Sequence, residues 1–191
     1  RAALREIANP GLMARVAALG AINGMTTIYV ALIGLLLVPA IGRGPQDVAL
    51  YFGIVAGLEV PFMLATPLAG RWLPRTWLIL AGTALYALHV LMMPMAAPHS
   101  WLWLLMLPAA AGGAVILTVP IAYLQDLLAS RPGTGASLMA LQRLAGDVMA
   151  AACFAIGTAI SGYALVAILS VTLGLLGAVA LVIWDGEVRR R

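Results

Sequence analysis

The sequence predicts an all-α membrane protein with six transmembrane helices, and three observations lead there. Of its 191 residues, 63% are hydrophobic and only 9% are charged, against about 25% charged in an ordinary soluble domain. The apolar residues fall into six runs, each long enough for the roughly 20 residues that a membrane-crossing helix needs. The basic residues, all of them arginine, stand mainly at alternate ends of those runs. This composition excludes a soluble globular fold and a disordered segment. Nucleic-acid binding is excluded too, because the arginines are scattered between apolar runs and form no basic patch. The single cysteine, Cys153, lies inside an apolar run and excludes an internal disulfide framework.

Residues 1–11 mix Arg1, Arg5 and Glu6 with Ala, Leu and Ile before Asn9-Pro10-Gly11. They read as a cytoplasmic linker or interfacial helix. The chain opens on Arg1 with no signal-peptide pattern and reads as a segment of a longer polypeptide. A six-helix domain is expected over 12–184. Its first span is 12–41, broken by Gly42-Arg43-Gly44-Pro45. The second is 46–70, ending at Arg71-Trp72-Leu73-Pro74-Arg75, and the third is 76–96, closed by Ala97-Pro98-His99-Ser100. The fourth is 101–128, followed by Ser130-Arg131-Pro132-Gly133. The fifth is 134–161, with Gly162 marking a tight turn, and the sixth is 163–184. Residues 185–191 form a charged, basic tail.

Six spans put both ends of the domain on one side. That side holds Arg1, Arg5, Arg15, Arg71, Arg75, Arg131, Arg189, Arg190 and Arg191, while the other holds only Arg43. Both termini are therefore expected in the cytoplasm, and the protein in a bacterial inner membrane. Trp72, Trp77 and Trp184 fall at inner ends; Tyr51, Trp101, Trp103 and Tyr163 fall at outer ends, as an interfacial aromatic belt. Pro39, Pro61, Pro67, Pro94, Pro108 and Pro120 interrupt the spans, as do Gly53, Gly57 and Gly112-Gly113. Such breaks suit helices that line a cavity and bend, although proline is common in membrane helices generally.

Charges near the bilayer centre cost roughly 2.5–3.5 kcal/mol each on insertion scales, so they point to a cavity. Three qualify: Glu59 in the second span, and Arg143 and Asp147 in the fifth. Glu59 lies roughly 18 Å in from the outer end of its span, and Arg143 roughly 14 Å from the inner end. Both fall near the midplane of a hydrocarbon core about 30 Å thick. Arg143 and Asp147 are spaced to pair on one helix face, which would make them a neutralised couple that only aids insertion. Glu59 has no opposite charge three or four residues away. A carboxyl so placed is kept neutral by dry surroundings and ionised by a nearby guanidinium, the two states a proton-coupling group alternates between. Glu59 is the expected proton or substrate group, with Arg143 as its partner.

Asn23 and Gln142 are mid-span amides that either bind a polyhydroxylated ligand or join helices. His89 reads as a packing residue. Tyr29, Tyr123 and Trp103 either stack against a sugar ring or pack. Arg71, Arg75, Gln125, Asp126 and Arg131 read as a cytoplasmic gate or cap. No HExxH, GxSxG or CxxC occurs, and His89 and His99 are the only histidines. No enzyme activity, metal or cofactor is expected. Gly133-Thr134-Gly135-Ala136-Ser137 lacks a P-loop lysine and reads as a turn.

Six spans, a cytoplasmic start and a basic turn after the second span resemble the C-terminal half of a major facilitator superfamily transporter. Within it, Gly57-Leu58-Glu59-Val60-Pro61-Phe62-Met63-Leu64 is similar to the sugar efflux transporter (SET) family, as are Tyr123-Leu124-Gln125-Asp126-Leu127-Leu128, Gly133-Thr134-Gly135-Ala136-Ser137-Leu138 and Arg143. The superfamily's loop motif appears only as Gly70-Arg71-Trp72-Leu73-Pro74-Arg75, without its acidic residue. Ala140-Leu141-Gln142 stands where hydroxyl residues are expected. The resemblance implies two inverted three-helix repeats, with Glu59 and Arg143 on the second helix of each. Helices one, two, four and five would line the cavity and the other half, while three and six face lipid or support the bundle. It also implies half of a secondary active transporter, with proton-coupled efflux of small sugars or glycosides. The partners would be the N-terminal six-helix half, a small-molecule substrate, protons and the lipid bilayer. A multidrug or other metabolite exporter of the same fold is the alternative. A non-transporting membrane scaffold or sensor is a second.

Overall fold

The structure, a computed structural model, describes residues 9–38, 44–127 and 132–188. Among the described residues all regular structure is helical. Six helices are long and apolar enough to span a membrane: α1 (Pro10–Leu37), α2 (Pro45–Ala69), α3 (Arg75–Ala96), α4 (Met106–Leu127), α5 (Pro132–Ile160) and α6 (Tyr163–Val188). The protein is thus an α-helical chain built for the bilayer, and each helix lies close to its predicted span.

Local chemistry accounts for the boundaries. Asn9 caps α1, its side chain accepting from the Gly11 N–H at 2.9 Å, and Pro10 occupies the first turn, where no N–H is needed. At the start of α2 the Asp47 carboxylate accepts from the Gly44 N–H at 3.2 Å. α5 ends where Gly162 turns left-handed at φ +81°, its N–H donating to the Gly157 carbonyl at 2.8 Å. Pro61, Pro67, Pro94 and Pro120 remain inside helices. The fourth span enters through a 3₁₀ segment, Ser100–Leu105, ahead of α4. Pro108, just beyond, has no N–H to continue α-helical bonding backward.

Three expectations are corrected. Gly133–Ser137 is not a turn: α5 begins at Pro132 and includes it, proline being favoured at a helix's first position. The tail expected over 185–191 is helical as far as Val188, which brings Asp185 onto α6. Tyr51 is not in an interfacial belt but fully buried, its ring held by His89 and Trp103 at centroid distances of 6.1 and 5.9 Å. Trp72, Trp77 and Trp101 are exposed as expected.

α1 packs chiefly on α5 and α6, α4 on α2 and α3, and α3 on α6. Small residues allow these approaches, as they do between membrane helices generally. Gly20 and Gly24 of α1 meet Gly146 of α5, where a Cβ on Gly146 would stand 2.6 Å from the Gly20 carbonyl oxygen. Gly112 of α4 lies equally close to the backbone of α3 at Gly82 and Tyr86. The core runs along α1, α3, α4 and α6 through Ile22, Met25, Leu32, Ile79, Leu124 and Leu181. α2 and α5 are the least buried, with 11% and 17% of their central windows inside the protein against 67% for α1.

Candidate functional site

A cavity of about 340 Å³ opens between α1, α2 and α5, with α3 and α4 as its floor. α1 contributes Asn23, Thr26, Thr27 and Tyr29, α2 contributes Phe52 and Glu59, and Arg143 comes from α5. Glu59 and Arg143, chosen from the sequence as costly midspan charges, thus line one space from different helices. No ion pair within 4.0 Å joins Glu59, Arg143 or Asp147 among the described residues. The expected Glu59–Arg143 partnership is therefore not a closed salt bridge here. The local Arg143–Asp147 couple does not form either; Asp147 accepts from the Thr27 hydroxyl of α1 at 3.1 Å.

The remaining candidates divide. Asn23 lines the cavity, and its carbonyl accepts from the Thr26 hydroxyl at 2.7 Å. Gln142 does not line the cavity; its backbone carbonyl lies 3.0 Å from where a Gly20 Cβ would be. Tyr29 borders the cavity, and its ring makes T-shaped contacts with Phe52, Tyr86 and His89 at 5.4, 5.6 and 5.0 Å. Its hydroxyl is buried and makes no hydrogen bond. His89 is the packing residue expected, completely buried, with the Tyr51 hydroxyl 3.5 Å from Nδ1. Trp103 packs on Tyr51.

Glu59 also has a neighbour that sequence reasoning passed over. Its carboxylate lies against Gly113 of α4, with the Tyr86 ring at the rim of the same notch. The adjacent pair Gly112-Gly113 was noted only as a possible break. Its second member is explained by a side chain arriving from another helix.

The residues expected at a gate are partly assembled. Arg75 at the start of α3 pairs with Asp126 at the end of α4, on the surface. Arg71 and Gln125 are exposed, and Arg131 lies outside the described residues. Beside this pair stands a second cluster not foreseen. Arg15 of α1 bonds Asp185 of α6 at 3.3 Å and the Tyr123 hydroxyl of α4 at 3.1 Å, and Tyr123 donates to Asp185 at 3.0 Å. A cavity of about 320 Å³ lies between the two clusters. Arg15 was counted only as a topology signal and Asp185 as tail. Their opposite charges, near the two ends of the six-span domain, were the available clue.

The described residues hold no group of three or more His, Cys, Asp or Glu side chains placed to bind a metal ion. No known family, curated protein or solved structure matches the chain.

Proposed function

We propose that the chain is half of a secondary active transporter, moving a small polar molecule, foremost a sugar or glycoside, outward against inward-moving protons. The observation that carries this reading is the shared cavity: a carboxylate and a guanidinium on separate helices face one space and are not locked together. A static scaffold would instead hold its midspan charges in a closed, dry network. The helix contacts add support. Exchanging α1, α2 and α3 with α4, α5 and α6 carries α1–α5 onto α4–α2 and α1–α6 onto α4–α3, and leaves α3–α6 unchanged. These matches support a reading as two three-helix repeats of the kind secondary carriers use, although the α5–α6 contact has no comparable α2–α3 counterpart. The least buried helices, α2 and α5, are two of the four that the major facilitator resemblance sets along the cavity and the other half, whereas the other two, α1 and α4, are the most buried.

In this reading Glu59 takes up a proton while it lies against its dry wall. It gives the proton up when rocking of the halves brings a guanidinium or water to it, because a nearby positive charge favours the carboxylate. Asn23, Thr26 and Thr27 supply hydrogen-bonding groups for a polyhydroxylated ligand, and Phe52 and Tyr86 supply apolar edges. Val30, Val55 and Leu117 on the same wall favour a second reading, export of more apolar molecules by the same fold.

The test is transport by the full-length polypeptide in proteoliposomes, with radiolabelled sugars and lipophilic cations compared under an imposed pH gradient. Glu59→Gln should abolish gradient-driven movement while leaving equilibrium exchange measurable. Unchanged transport with unchanged pH dependence in that variant would remove the proposal, and transport of cations but no sugar would select the second reading.

A further inference from the structure

We infer that Gly113 is a positioning residue, a side-chain-free seat in α4 that holds the Glu59 carboxyl away from Arg143. The inference deepens the coupling role proposed for Glu59, but the seat is argued and tested on geometry alone. A Cβ at position 113 would overlap Oε1 of Glu59, stand 3.3 Å from its carboxyl carbon, and lie 3.6 Å from Cε2 of Tyr86. Real Cβ atoms essentially never approach heavy atoms within 3.0 Å, so a side chain at 113 obliges the flexible Glu59 carboxylate to swing away from where it lies.

The neighbouring glycine shows that this is not merely helix packing. A Cβ on Gly112 would strike the Gly82 carbonyl and the Tyr86 N–H of α3, at 2.6 and 2.7 Å. Gly112 therefore sets the α3–α4 spacing, whereas the atoms nearest a Cβ on Gly113 belong to the Glu59 carboxyl and the Tyr86 ring. The ionisable groups around the cavity are Tyr29 from α1, Tyr86 from α3 and Arg143 from α5, with Asp147 of α5 bonded to Thr27 at its edge. α4 lends only Gly113 and Leu117. On the α4 side the carboxyl thus meets carbon and a ring edge, surroundings that suit a neutral acid. On the α5 side it would meet Arg143, which suits the carboxylate. The carboxyl so acquires two berths, one for loading a proton and one for releasing it.

A hydrophobic carbodiimide, which reacts with protonated carboxyls in apolar surroundings, reads the seat directly, without substrate. Labelling of Glu59 in the full-length protein in lipid vesicles should fall about tenfold in Gly113→Ala. Adding Glu59→Asp, one methylene shorter, should recover at least half the wild-type rate in the same background. Labelling at the wild-type rate in a folded Gly113→Ala protein overturns the inference, as does a double variant no faster than Gly113→Ala. If Gly113→Ala alone does not accumulate, recovery of folded protein by Glu59→Asp supports the seat and no recovery overturns it. Failure of sugar transport with labelling as expected would reject the transport reading and leave the seat standing.

Discussion

Substituting alanine for Gly146 tests the α1–α5 crossing on which the cavity depends. The new Cβ would stand 2.6 Å from the Gly20 carbonyl oxygen and 3.0 Å from both the Gly24 nitrogen and the Asn23 Nδ2. Two of these atoms are backbone and cannot step aside. Ordinary contact begins at 3.4 Å, so the axes must part by about 0.8 Å (3.4 − 2.6). A gap of about 0.5–1 Å forfeits roughly a quarter to a half of each dispersion contact along the seam. Overpacking of this kind costs about 1–3 kcal/mol. Reversible unfolding in mixed detergent micelles would measure the loss. Gly34→Ala is the control, because nothing lies within 4 Å of its Cβ, and it should stay within about 0.5 kcal/mol of the parent. Equal stability of the two variants would refute the argument that backbone contact between these helices sets their spacing.

The two ion pairs should differ in worth. The Arg15 and Asp185 side chains are 16% and 27% exposed, so Asp185→Asn, which leaves Arg15 without its counter-charge, should cost about 1–2 kcal/mol in the same unfolding assay. Arg75→Gln, removing a pair whose members are 46% and 65% exposed, should cost less than about 1 kcal/mol; the reverse order would contradict the burial argument. Tyr29→Phe deletes a buried hydroxyl that has no partner. It should raise stability by about 1 kcal/mol in the same unfolding assay. A loss of stability would mean that the hydroxyl is already satisfied within the protein.

Much of the architecture could be read from the residues, because the bilayer imposes lengths that hydropathy reports directly. The same physics exposed Glu59 and Arg143, since charges at midspan are too costly to be incidental. Their separation was not legible. Sequence spacing allows Arg143 to pair with Asp147 as an alternative to Glu59, but neither ion pair forms and Thr27 reaches Asp147 from another helix, an outcome that only three-dimensional packing decides. Glycine roles were hidden for a related reason. Gly112 and Gly113 are identical in sequence, yet one abuts a backbone and the other a carboxylate. Tyr51 misled because an aromatic residue near a span end fits a belt or a core equally well, and the facing His89 and Trp103 determine which. Asp185 escaped notice because a charged run after an apolar one marks a tail by composition, whereas helix α6 continues through it.

The way α2 is held bears on how the chain is made. Its contacts with α1 are few and its main support is α4, which is completed roughly 60 residues later, about 3–12 s at synthesis rates of about 5–20 residues per second. During that interval α2 must remain in lipid on its own hydropathy, carrying an acidic side chain whose docking groove has yet to be synthesised. Protonation would ease that wait, so nascent-chain insertion should favour the neutral acid. Arrival of α4 then captures α2 late, after both neighbours in sequence have already crossed the bilayer.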